Sequence, residues 1–260
     1  MDLPIRFGAI RGLLKELEVS ARDDRPLAVG GARELAAVLR RDLGRGARVG
    51  AIRGDDSPEG AALYLYVLGH DPDEADQAAL KRARRARVPI VAIAAGPVSD
   101  DVTLPFVLAT DVVRTGAGEG FPLEEIAARI AAKLGENAAP LAARIPLLRD
   151  AVCAELISSA SRRNGITAAA VFLPGADLPL LTLNQLRLVL RIAQAYGEDV
   201  GKERLPELAA SVGAGIGLRA LARELLDLVP VAGWAVKGAV AYAGTRALGE
   251  AAVRRFSATV

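Results

Sequence analysis

Between Arg25 and Gly135 short apolar runs alternate with stretches of helical periodicity, and beyond Gly135 the short runs stop. Runs of four to eight apolar or β-branched residues bounded by Gly, Pro and Asp predict strands, and apolar positions at three- and four-residue spacing predict helices. On that basis Pro26 to Val29, Arg48 to Ile52, Ala61 to Leu68, Pro89 to Ala94 and Leu104 to Val113 are expected strands. Ala32 to Leu43 is an expected helix, and so is a segment capped by Asp71, with Pro72 at its first position, that runs to about Ala86. FPLEEIAARIAAKL closes the series with Gly135 as its stop. Strands separated by helices predict an α/β fold, a mostly parallel sheet with helices on both faces, followed here by an all-α helical domain.

At the N-terminus Ile5, Phe7, Ile10, Leu13, Leu14 and Leu17 are interleaved with charges, the spacing of an amphipathic helix that docks on the domain following it. No signal-peptide pattern is evident. In the C-terminal half Thr182 and Gln185 match a capping box for a helix reaching Tyr196 and Gly197, with Arg187, Arg191 and Gln194 along one face. The expected divisions are an N-terminal helix at 1–24, an α/β domain at 25–136 and a helical domain at 137–260.

Composition narrows the function classes. Among 260 residues, 52% are hydrophobic, and 33 basic against 31 acidic residues leave a net charge of +2. That argues for a folded protein and against nucleic acid as a partner. A single Cys153 and a single His70 exclude an internal disulfide and a His-rich metal site, and fit a cytoplasmic setting. The strand–glycine–helix segment LAVGGARELAA has the outline of a phosphate loop. Counted from Gly30, however, Leu35, Ala36 and Ala37 stand where a second Gly, a Lys and a hydroxyl belong. Gly116, Gly118 and Gly120 form a weaker glycine cluster, expected to be a flexible connection. Asp55 with Asp56, and Asp100 with Asp101, are expected as surface charge. Lys81, Arg82, Arg84, Arg85 and Arg87 make the strongest basic cluster, at the end of a helix where the dipole favours cations.

PGADLPLLTLNQLRLVLRIAQAYG, followed after a spacer by LVPVAGWAVKGAVAYAGTRALGEAA, resembles the YcjF-like family of bacterial proteins of unknown function over roughly Ile166 to Arg255. The positions that carry the likeness are Asp177, Pro179, Thr182, Gln185, Tyr196, Gly197, Pro230, Gly233, Trp234, Thr245 and Gly249. Members of that family often follow Era-like GTPase domains, and several associate with the bacterial inner membrane. The order of elements from Leu27 to Leu134 is similar to an Era-like G domain. The resemblance therefore implies a pseudo-GTPase, because VLGHDPDEAD lacks an Asp-x-x-Gly metal motif and Ala94, Ala95 and Gly96 replace the guanine-reading residues.

The expectation is a non-enzymatic scaffold or regulator, without cofactor, catalytic residue or metal. Its expected partners are another protein and a membrane surface or the inner membrane, with nucleotide and nucleic acid not expected. The alternatives are a nucleotide-binding regulator with an atypical loop at Gly30 to Arg33 or Gly116 to Gly120, and a membrane-inserting helical protein. A spanning helix needs about 18 apolar residues, which the run Asn164 to Ala176 does not reach. Alanines at every fourth position from Ala235 to Ala251 are expected to pack on Ala209, Gly213 and Gly217.

Overall fold

The computed structural model describes residues 7–100, 102–116, 118–170, 178–198 and 233–258. The chain divides into two compact units, 23–152, and 1–22 together with 153–260.

The first unit is built on five parallel strands, β1 (Leu27–Gly31), β2 (Ile52–Arg53), β3 (Leu63–Leu68), β4 (Ile90–Ala95) and β5 (Val112–Thr115), in the order β2-β1-β3-β4-β5. β3 and β4 are buried on both faces, which is why LYLYVL and IVAIAA are continuous apolar runs rather than alternating ones. The helices are α2 (Arg33–Leu43), α3 (Glu74–Arg85), α4 (Leu123–Leu134) and α5 (Ala139–Arg144). Tyr64, Tyr66, Leu68, Ile90 and Ala92 form one cluster with Ala79, Leu80 and Ala83 of α3. Arg144 of α5 donates to the carbonyls of Asp24 and Arg25, and its own carbonyl accepts the Arg48 N–H at 2.8 Å.

Three expectations for this unit are corrected. Leu104 to Val113 is not one strand. Leu104 and Val107 instead plug the α3 side of the sheet, a 3-10 turn covers Ala109–Asp111, and only Val112 onward pairs with β4. Pro105, which has no N–H to give a ladder, sits where that strand would have had to continue. Arg48 to Ile52 is likewise turn and loop up to Ala51, leaving β2 two residues long. The cap of α3 is Asp73 rather than Asp71: the Asp73 side chain accepts from the Asp76 N–H, and Asp76 returns the bond to the Asp73 N–H, each at 2.9 Å. This reciprocal pair satisfies two N–H groups of the first turn.

In the second unit, α6 (Arg149–Ala170, whose first residues belong to the α/β unit), α7 (Leu178–Ala195) and α8 (Gly233–Ser257) pack together with α1 (Phe7–Ala21). The N-terminal helix belongs to the helical unit rather than to the α/β domain that follows it. Leu13, Leu14 and Leu17 are buried, and α1 lies on α7, where Arg191 and Arg187 pair with Glu16. The Arg187–Arg191–Gln194 face is therefore the receiving face for α1.

Thr182 is inside α7, so it forms no cap. The helix starts at Leu178, with Pro179 in its first turn, where its missing N–H costs nothing. On α8, Ala239, Ala243 and Ala247 are exposed, and the packing face is the adjacent one carrying Gly238, Thr245 and Gly249. The other half of the expected ladder, Ala209 to Gly217, lies outside the described residues. Among those that are described, no helix is long and apolar enough to cross a membrane.

Candidate functional site

Open parallel sheets bind ligands outside the carboxyl ends of their strands, where successive connections leave in opposite directions. In this sheet that point lies between β1 and β3. A crevice of about 480 Å3 opens there, lined among others by Gly31, Asp56, Tyr66, Val67, His70, Asp76 and Arg82.

Gly31 lines the crevice, and Gly30 precedes that residue at the end of β1. Gly31 has φ +97°, and a Cβ there would come within 2.1 Å of the Val67 carbonyl. A Cβ on Gly30 would fall 2.0 Å from an oxygen of Asp56 and 2.4 Å from the Tyr64 hydroxyl. The glycines thus let β1 run close to β3 and admit the Asp56 side chain. Asp56 Oδ1 accepts from the Gly31 N–H at 3.1 Å and from the Tyr64 hydroxyl at 2.6 Å. The next N–H, that of Ala32, goes to the Val67 carbonyl at 2.8 Å. The anion-seeking end of the turn is therefore occupied by the protein's own carboxylate.

The opposite wall is the start of α3. Tyr66 donates to Asp76 Oδ1 at 2.7 Å while Asp76 Oδ2 closes the capping box. Burial first, and then the bond to a carboxylate, pushes the ionisation of both Tyr64 and Tyr66 far above the usual phenol range. The Asp76 N–H holds the Asp73 carboxyl below its ordinary range. His70, Asp73 and Asp76 bring ligand-type atoms within 4.8 Å of one another, although both Asp76 oxygens already accept a hydrogen bond. Asp71 turns away from α3 to accept the N–H and hydroxyl of Ser99, each at 2.7 Å, and this holds its carboxyl below the usual range.

A second polar cluster lies inside the helical unit. Asn164 of α6 and Thr245 of α8 are fully buried, and Asn164 Nδ2 donates to Thr245 Oγ1 at 3.0 Å. From α7, Gln185 Nε2 donates to the same hydroxyl at 3.2 Å, and Asn184 Nδ2 donates to Asn164 Oδ1 at 2.9 Å. One turn before Asn164, the buried Ser161 hydroxyl has no hydrogen-bond partner among the described residues. At one end of this hub α6 and α8 meet backbone to backbone, a Cβ on Gly238 lying 3.0 Å from the Gly165 carbonyl. At the other, a Cβ on Gly249 would strike Ile157 at 2.5 Å.

Of the positions singled out in the sequence, the structure thus joins Gln185 to Thr245 and places Gly249 at the α6 interface. Thr182 sits in the first half of α7, and Tyr196 is buried just past its last turn, before Gly197 at φ +82°. Asp177 and Pro230 lie outside the described residues, as does the side chain of Trp234. Asn164, Asn184 and Asp56 escaped the sequence reading as members of these clusters. Nothing in the sequence set these amides apart from the other polar residues of α6 and α7.

Residues 131–259 match the family model described as Domain of unknown function (DUF697). No curated protein and no solved structure matches the chain. The DUF697 region begins in the last turn of α4, so it takes in α5 and the start of α6, which belong to the α/β unit, as well as the whole polar hub.

Proposed function

We propose that the protein is a non-catalytic scaffold or regulator. In this reading the α/β unit descends from a nucleotide-binding G-domain-like fold and no longer takes nucleotide, and the DUF697 region is a YcjF-like helical domain that presents a surface to a protein partner. The observation that carries the proposal is the Asp56 carboxylate on the Gly31 N–H. A phosphate brought to that turn would meet a negative charge instead of open N–H donors. Ala36, where a phosphate-binding Lys would stand, is buried and belongs to the face of α2 that packs on the sheet. The fold order β2-β1-β3-β4-β5, with its crevice at the β1/β3 junction, supports the descent.

Calorimetry of the full chain with GTP, GDP and ATP in the presence of magnesium is expected to give no binding heat, and phosphate-release assays no turnover. Micromolar affinity or measurable hydrolysis would falsify the proposal. Asp56→Ala should free the Gly31 N–H and bring weak binding of inorganic phosphate. If that variant stays inert while remaining folded, the carboxylate is not what closes the loop.

A further inference from the structure

We infer that the α/β unit carries a contact surface for an anionic phospholipid bilayer, made by the C-terminal half of α3 and the loop tip at Phe106. Lys81, Arg84 and Arg85 are at i, i+3 and i+4, so they share one face of α3, and Arg87 follows in a left-handed conformation at φ +58°. All four are exposed, and none has a side-chain hydrogen bond or ion pair among the described residues. One turn earlier on the same face stand the neutral Gln77 and Ala78. The helix dipole favours cations in a last turn, but it does not call for Lys81 a turn earlier or for Arg87 beyond the end. Other arginines of this unit are ion-paired, among them Arg25 with Asp23, Arg53 with Asp55 and Arg129 with Glu125.

The second component is an apolar tip. The Val107 N–H reaches the Leu104 carbonyl at 3.4 Å, closing a turn with Pro105 second and Phe106 third, and Phe106 has φ +68°. That is the pattern of a type II turn, whose third position ordinarily demands Gly or Asn. A bulky side chain there is strained, and this one recovers little by burial: Phe106 is 55% exposed and Leu108 66%. Leu104 and Val107 anchor the loop in the same cluster as Ala83, Ala86 and Val88 around the end of α3. The basic stripe and the apolar tip therefore stand on one side of the sheet. Guanidinium and ammonium groups meet lipid phosphates while Phe and Leu enter the headgroup–acyl boundary. Leu108 has no π-face to stack on a base, and among the described residues no second aromatic ring pairs with Phe106, which favours lipid over nucleic acid. The stripe lies at the opposite end of α3 from Asp73 and Asp76, so its occupancy does not depend on what the crevice binds.

The test is flotation of the full chain with phosphatidylglycerol vesicles and with pure phosphatidylcholine vesicles, with a DNA duplex as a competing arm. Binding to the anionic vesicles alone, released by high salt, is expected. Replacing Lys81, Arg84 and Arg85 by Gln should lower partitioning by roughly fivefold per cation removed. Phe106→Asn should also weaken binding while leaving Tm unchanged or higher, because Asn tolerates the left-handed backbone. A residue kept only for the fold would lower Tm when replaced. Equal binding to neutral vesicles, binding undiminished in the triple variant, absence of vesicle binding, or a tighter hold on the duplex than on the vesicles would each overturn the inference.

Discussion

The two polar clusters of this chain are built from different materials. The crevice of the α/β unit uses carboxylates and phenols at the open ends of strands, and water reaches Asp56 and His70 there. The hub of the helical unit uses neutral amides and a hydroxyl, with Asn164 and Thr245 fully buried at its centre and Asn184 and Gln185 half-buried beside them. In the crevice a lost partner of the exposed Asp56 or His70 can be replaced by water. In the hub it cannot, because an unmet amide inside a helical core keeps its full desolvation cost. The charged cluster can therefore change with little loss of stability, whereas the neutral one sets how three helices meet.

Asn164→Ala should show this contrast most strongly. It removes the buried bond to Thr245 and the acceptor of the half-buried Asn184 amide, and a loss of about 2 kcal/mol is expected in urea denaturation. Asp56→Asn, which keeps an acceptor for the buried Tyr64 hydroxyl and tolerates the φ of 57° at this exposed position, should cost about 1 kcal/mol or less. Equal losses would dissolve the distinction between the clusters. Gly238→Val comes next, with an expected cost of about 2 kcal/mol from driving a side chain into the Gly165 carbonyl. Gly244→Val, where nothing lies within 4 Å of the added Cβ, is its control and should cost nothing, because Val is a slightly better helix former than Gly.

Alkaline titration sharpens the crevice side. Tyr64 and Tyr66 have folded pKa values raised above the unfolded value of about 10. Their contribution to stability is thus complete below about pH 10 and is lost as pH rises above it. Their phenolate absorbance should appear only together with loss of circular dichroism, and early titration in the folded state would contradict the buried, carboxylate-bound geometry. The smallest effect is expected at Ser161, whose buried hydroxyl has no partner among the described residues. Ser161→Ala should be neutral or stabilising by about 1 kcal/mol, and a marked loss would place it inside the hub.

The legible parts of the fold were those decided by local pattern. β1, β3 and β4 are runs too apolar to be anything but buried strands, and α2 and α4 have strong amphipathic spacing. Where two local signals competed, tertiary contacts chose between them. Asp71 and Asp73 each have an acid three residues on, and the contest went to Asp73 because Ser99 recruits Asp71. Leu104 to Val113 has the apolar content of a strand, but its first residues serve as plugs against α3. The candidate sites were less legible, since Asp56 reaches Gly31 across 25 residues and Asn164 reaches Thr245 across 81. Residue types announce such groups as polar, but only the fold says which of them meet.

Arg144 has a practical corollary for anyone dividing the chain. A fragment begun at the edge of the DUF697 match would carry away α5, and with it the guanidinium that holds the Asp24 and Arg25 carbonyls at the entrance to β1. The remainder would keep every strand and yet lose the clasp on its first one, while the excised piece would bring along buried Leu141, Ile145 and Leu148 without the sheet-bearing unit they belong to. The limits of the family match and the limits of the folding unit are different, and the scissors should follow the second.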